Sequence, residues 1–211
     1  GGEQSNHASF HPQISADGRI VAFVSLADNL VAGDTNNQFD VFVHDREANE
    51  TSRVSVASTG AQAYGGSDVA LSANGRYVAF SSASATLVAG DTNNQSDLFL
   101  HDRQTKQTVR ISLGPGAVQA NGASAFPSLS ADGRFVAFQS TATNLAVGDN
   151  NNVSDIYLWD RTTGKTLCAS CAGNGNSQTP SLSDDGRRVA FTSLAGNLTP
   201  GDSNGVSDIF L

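Results

Sequence analysis

The chain has 211 residues and a formal net charge of −8, with 12 Lys and Arg against 20 Asp and Glu. That balance argues against a nucleic-acid partner, whose phosphates call for a basic stripe. No apolar run reaches the roughly 18 residues a membrane-spanning helix needs, and 21 glycines with 15% charged residues point to a turn-rich β protein.

Read in order, the chain is a repeat. Ser-Ala-Asp-Gly-Arg-Ile-Val-Ala-Phe-Val-Ser at 15–25 returns at 72–82, 130–140 and 183–193. Each copy is followed by a second phrase, Gly-Asp-Thr-Asn-Asn-Gln-Phe-Asp-Val-Phe-Val at 33–43, which returns at 90–100, 148–158 and 201–211. The glycines of the first phrase, Gly18, Gly75, Gly133 and Gly186, are 57, 58 and 53 residues apart. A period of this size means units that cannot bury their own apolar faces and must stack on neighbours. The whole of 1–211 is therefore one array, with units at about 1–56, 57–113, 114–170 and 171–211.

Within a unit the apolar pattern has period two and predicts four strands. Strand a is short, at 11–15 and in the matching places 126–130 and 179–183. The Ala-Asp-Gly or Ala-Asn-Gly that follows is a hairpin signal, because both central residues tolerate positive φ. Strand b is 19–25, strand c is 40–45 after a longer polar loop, and strand d is 51–56 or 108–113 after a second turn. Strands b and c are apolar at nearly every position, which predicts burial on both faces. Four short antiparallel strands per unit, stacked face to face, predict an all-β fold, a β-propeller of about four blades. A β-helix has shorter coils without two hairpins each.

The phrases Ser-x-Asp-Gly-Arg-x-Val-Ala-Phe-x-Ser and Asp-[Val/Ile/Leu]-[Phe/Tyr]-[Val/Leu]-x-Asp-Arg resemble the PD40, or TolB-like, branch of bacterial WD40-like propeller repeats, over essentially the whole chain. The resemblance implies an exported bacterial protein, periplasmic or extracellular. Family members include the periplasmic propeller of the Tol system, propellers that gate serine peptidases, and exported proteins of unassigned role. The b–c loop, 26–39, is longer here than in the usual repeat. The fourth unit has no strand d, so the expectation is a piece of a larger propeller, or one that closes by self-association through open edges.

The Gly-Asp-x-Asn loops are the candidate site. They carry Asp34, Asn36, Gln38 and Asp40; Asp91, Asn93, Gln95 and Asp97; Asp149, Asn151 and Asp155; and Asp202, Asn204 and Asp208. Oxygen donors on alternate residues suit Ca²⁺, which takes six to eight hard oxygen ligands. The alternative is that Gly, Asp and Asn simply form turns, with Asp40, Asp97, Asp155 and Asp208 capping the start of strand c. Cys168 and Cys171 form a lone C-x-x-C: a short-range disulfide, or two inert thiols. His44 and His101 share a repeat position with Trp159, which marks a packing site between blades. Asp45, Asp102 and Asp160, each followed by Arg, belong to the c–d turn, and Arg19, Arg76, Arg134 and Arg187 follow the a–b turn in every copy. The non-repeated Glu3, His7, His11, Tyr64, Asp68 and Trp159 form no acid–base or nucleophile pair, and enzyme motifs are missing.

Consecutive blades gather b–c and d–a loops on one rim, and loops on a rigid scaffold are where binding concentrates. The expectation is a non-enzymatic exported binding or scaffold module for a protein or glycan partner, stabilised by Ca²⁺. A substrate-gating propeller of a larger serine peptidase and a self-assembling surface protein are the alternatives.

Overall fold

The computed structural model describes residues 4–211; Glu3, singled out above, lies outside them. The first sheet runs β1 (Ser9–Ile14), β2 (Ile20–Ser25), β3 (Asp40–Asp45) and β4 (Glu50–Arg53), in spatial order 1-2-3-4. The second repeats it with β5 (Val69–Leu71), β6 (Tyr77–Ser82), β7 (Asp97–Asp102) and β8 (Gln107–Arg110). A two-stranded ladder of β9 (Leu113–Gly114) and β10 (Val118–Gln119) precedes the third sheet. That sheet is β11 (Ser124–Leu129), β12 (Phe135–Ser140), β13 (Asp155–Asp160) and β14 (Lys165–Cys168). The fourth has three strands, β15 (Ser177–Leu182), β16 (Val189–Ser193) and β17 (Asp208–Phe210).

All neighbouring strands are antiparallel, and the a strands β1, β5, β11 and β15 lie innermost and touch one another. The inner strands β1, β11 and β15 begin two residues earlier than the sequence pattern predicts. The d strands are shorter than predicted, ending at Arg53 and Arg110.

Alternating side chains of b and c feed two different cores. Ile20, Val24, Val41 and Val43 pack on Val78, Phe80 and Phe99 of the next blade. The opposite face of that blade, Ala79, Leu98, Leu100 and Ile111, packs on Val136, Phe138 and Tyr157. This two-sided burial explains the near-continuous apolar runs. In every blade an aromatic pair ties b to c: Phe23–Phe42, Phe80–Phe99, Phe138–Tyr157 and Phe191–Phe210, with ring centroids 5.7–5.9 Å apart.

The a–b turn is the joint between blades. Only its glycine takes positive φ (Gly18, 72°), so the predicted pair of left-handed residues is corrected to a tight turn closed by Gly18 N–H donating to Ser15 O at 2.9 Å. Ser15 Oγ accepts Ile20 N–H at 2.8 Å, and Asp17 accepts Arg19 N–H at 2.9 Å. Ser72, Ser130 and Ser183 repeat the first bond. Backbone bonds then run from turn to turn: Ala16 N to Ala73 O, Ala73 N to Ala131 O, and Ala131 N to Asp184 O, at 2.8–3.0 Å. The c–d turns sit on this same rim, since Arg46 Nη1 donates to Gly18 O at 2.8 Å and Arg103 Nη1 to Gly75 O at 2.6 Å. The Asp of each Asp-Arg pair reaches back to strand b: Asp45, Asp102 and Asp160 bind Arg19, Arg76 and Arg134.

Candidate functional site

The opposite rim carries the Gly-Asp-x-Asn loops together with the d–a connections. Gln62 Nε2 donates to Asp34 at 3.0 Å, and Gln119 Nε2 donates to Gly90 O at 2.9 Å and Thr92 at 3.0 Å. Both glutamines come from d–a connections, so these bonds lock the two kinds of loop side by side.

Each loop is built on its asparagine. Asn36 Oδ1 accepts Gln38 N–H at 2.9 Å, and Asn93, Asn151 and Asn204 do the same for Gln95, Val153 and Val206. The next residue is left-handed in every copy, Asn37, Asn94 and Asn152 at φ 51–55° and Gly205 at 67°, a conformation Asn and Gly tolerate best. Asn36, Asn93 and Asn204 donate from Nδ2 to Asp40, Asp97 and Asp208 at 2.9–3.1 Å. Gln38 and Gln95 enter these networks through their backbone N–H groups.

The strand-c aspartates of the first three blades are buried. Asp40 and Asp97 accept the hydroxyls of Ser55 and Ser112, which in turn accept Val41 and Leu98 N–H at 3.1 Å. Burial pushes the Asp40 and Asp97 carboxyls up from the usual range, against the pull of those serines and of nearby Arg53 and Arg110.

In the first two blades the charge between the loop carboxylates is an arginine. Arg110 Nη1 lies 2.9 Å from Asp91 and 3.3 Å from Asp97; Arg53 Nη1 lies 3.1 Å from Asp34 and 3.7 Å from Asp40. Arg53 Nη1 makes these contacts through charge, with no aligned hydrogen bond. A guanidinium thus fills the place where the spacing suggested Ca²⁺, and the first two loops fit that ion poorly. Nothing local in the sequence revealed this, because Arg53 follows Asp34 by 19 residues.

The third blade departs from the pattern. Cys168 stands in the arginine position and is disulfide-bonded to Cys171, with Cα atoms 5.8 Å apart. Tyr157 replaces the phenylalanine of the other copies, and its hydroxyl donates to Asp149. Burial and this bond push the Tyr157 hydroxyl up. Both cysteine sulfurs lie near Asp155, but a disulfide leaves no thiolate for a metal.

Two further concavities were not legible in the repeat. His11, Phe126 and Thr179 on the inner strands, and Asp68 just before β5, hold equivalent places and line one cavity of about 210 Å³. His11, Phe126 and Thr179 have φ of 50–54° beside a break in the strand register. Two residues that seemed unrelated in sequence, His11 and Asp68, thereby share a wall. A larger apolar groove, about 1140 Å³, opens between the outer strands of the second and third blades, lined by Val109, Leu113, Val147, Trp159 and Leu167. His101, at the position of Trp159, is a buried packing residue: its Nδ1 meets Thr108 Oγ1 at 2.9 Å, and that hydroxyl donates to Val56 O of the preceding blade at 2.6 Å.

No family model matches the chain, and no curated protein matches it. Solved structures do. TolB from Acinetobacter baumannii superposes with a TM-score of 0.56 at 16% identity, covering 96% of this chain and 43% of that one. The β-propeller domain of the Trilobed protease from Pyrococcus furiosus gives 0.55 at 11% identity, over 99% and 58%. An oligogalacturonate lyase from Vibrio parahaemolyticus gives 0.56 at 11%, over 99% and 54%. The fold is a β-propeller. At these identities the likeness is one of fold, and the chain spans about half the length of the structures it matches. Among the described residues no helix is long and apolar enough to cross a membrane.

Proposed function

We propose that this chain is a non-enzymatic binding module, exported from the cell, whose loop rim takes a protein partner. The observation that carries the reading is the cross-linked rim, where Gln62–Asp34 and Gln119–Thr92 fix exposed loop tips on a stack of rigid sheets. Preorganised loops cost little ordering on binding. The Cys168–Cys171 disulfide supports an oxidising compartment. A photo-crosslinker placed singly at the exposed Asn37, Asn94 or Asn152 is expected to trap one partner from the source cells. The same probe at Glu47, Gln104 or Thr162, on the turn rim, is expected to trap none. Trapping from the turn rim alone, or from neither, would refute the reading.

A second reading concerns the ends of the stack. Ile209 is 73% exposed, whereas its equivalents Val41, Leu98 and Ile156 are fully buried by a following blade; Ile14 on the first blade is 62% exposed. Exposed apolar faces of this kind call for cover, so we infer that further blades, or a second copy, pack there.

A further inference from the structure

We propose that the third blade binds one divalent cation of the Ca²⁺ class between Asp149 and Asp155, in the space that an arginine side chain fills in the first two blades. The proposal is independent of the rim's partner.

The repeat supplies its own comparison. In the second blade Asp91 and Asp97 face Arg110. The third blade keeps both carboxylates, as Asp149 and Asp155, and loses the cation, since Cys168 stands there. Asp155 is fully buried and Asp149 is 6% exposed. One oxygen of each is satisfied: Asp149 Oδ2 by the Tyr157 hydroxyl, and Asp155 Oδ1 by Ser170 Oγ at 2.5 Å. The other two, Asp149 Oδ1 and Asp155 Oδ2, are buried without a hydrogen-bond partner. Asn151, whose counterparts donate to the strand-c aspartate, turns its Nδ2 to the carbonyls of Cys171 at 3.3 Å and Gly173 at 3.0 Å.

Two buried, unpaired carboxylate oxygens are costly unless a counter-charge joins them. The free donors are all hard oxygens and the sulfurs are tied in a disulfide, so the site selects Ca²⁺ over thiophilic metals. Two carboxylates neutralise a divalent ion, and water completes its oxygen shell.

The test is thermal unfolding and calorimetric titration of the oxidised chain with CaCl₂. At ~1 mM, Ca²⁺ is expected to raise the melting midpoint by about 2–4 °C, with one ion bound per chain and a weaker response to Mg²⁺. Asp149→Asn and Asp155→Asn should each abolish the shift. The triple variant Tyr157→Phe, Cys168→Arg, Cys171→Val rebuilds the lining of the first blades; it should fold and ignore Ca²⁺. An unshifted wild-type midpoint overturns the proposal. So does a shift that survives in the triple variant, or binding of several ions per chain.

Discussion

Gly133 lies directly beneath Tyr77 of the preceding blade: a Cβ on Gly133 would fall 2.3 Å from Tyr77 Cδ2. Gly75 stands in the same relation to Ile20, and Gly186 to Phe135. One residue type therefore serves two needs, since Gly133 also has φ of 66°.

Gly133→Ala is expected to destabilise the chain by about 2–4 kcal/mol, combining backbone strain with overpacking against a buried ring. Gly148→Ala is the control. Its φ is 92° but nothing lies within 4 Å, so it should cost only about 1–2 kcal/mol. Urea unfolding measures both, and equal losses would refute the close-approach argument.

Arg110→Met should cost about 3–5 kcal/mol, because it strands Asp91 and Asp97 beside each other without their cation. Arg19→Met removes a pair in which Arg19 is 45% exposed, and surface pairs contribute about 0–1 kcal/mol. A double variant Arg110→Met, Asp91→Asn should recover part of the first loss.

Burial pushes the His101 imidazole down to about 4. The folded chain therefore keeps it neutral while the unfolded chain, near pH 6.5, takes up a proton. The stability it contributes is complete above about pH 6.5 and is lost as the pH falls towards about 4, on the order of 3 kcal/mol in all. Unfolding free energies across that window should fall with pH, less steeply in His101→Gln. An NMR titration placing this imidazole near 6.5 would contradict the packing role.

Reducing Cys168–Cys171 should cost about 2 kcal/mol, the chain-entropy value for so short a loop, and leave the fold intact. Melting with and without dithiothreitol reads the loss, and Cys168→Ser should melt with the reduced form.

Ile156→Ala should cost about 2–4 kcal/mol as a core cavity. Ile209→Ala, at the equivalent place on the 73% exposed end face, should cost more than about 1 kcal/mol where a second copy covers that face, with light scattering showing the dimer; a loss under about 0.5 kcal/mol would mean that the face is bare.

The repeat, the strands b and c, and the separation of turns from acidic loops were all legible in the residues. A period-two pattern and a recurring glycine are local facts, repeated four times, that leave little freedom in how the units stack. Apolar residues on both sides of Val78–Phe80 and Leu98–Leu100 announced the neighbours they would meet. What the acidic loops hold was not legible. The spacing of Asp34, Asn36 and Asp40 suits a metal and a turn equally, and the deciding charge, on Arg53, arrives from strand d. The joint loss of arginine and gain of the Tyr157 hydroxyl in the third blade became meaningful only when Asp149 stood between them. Local sequence settles conformation because backbone preference and side-chain alternation act over a few residues. Folding alone settles which buried charges meet, because that depends on which distant strand brings its side chain into the same dry space.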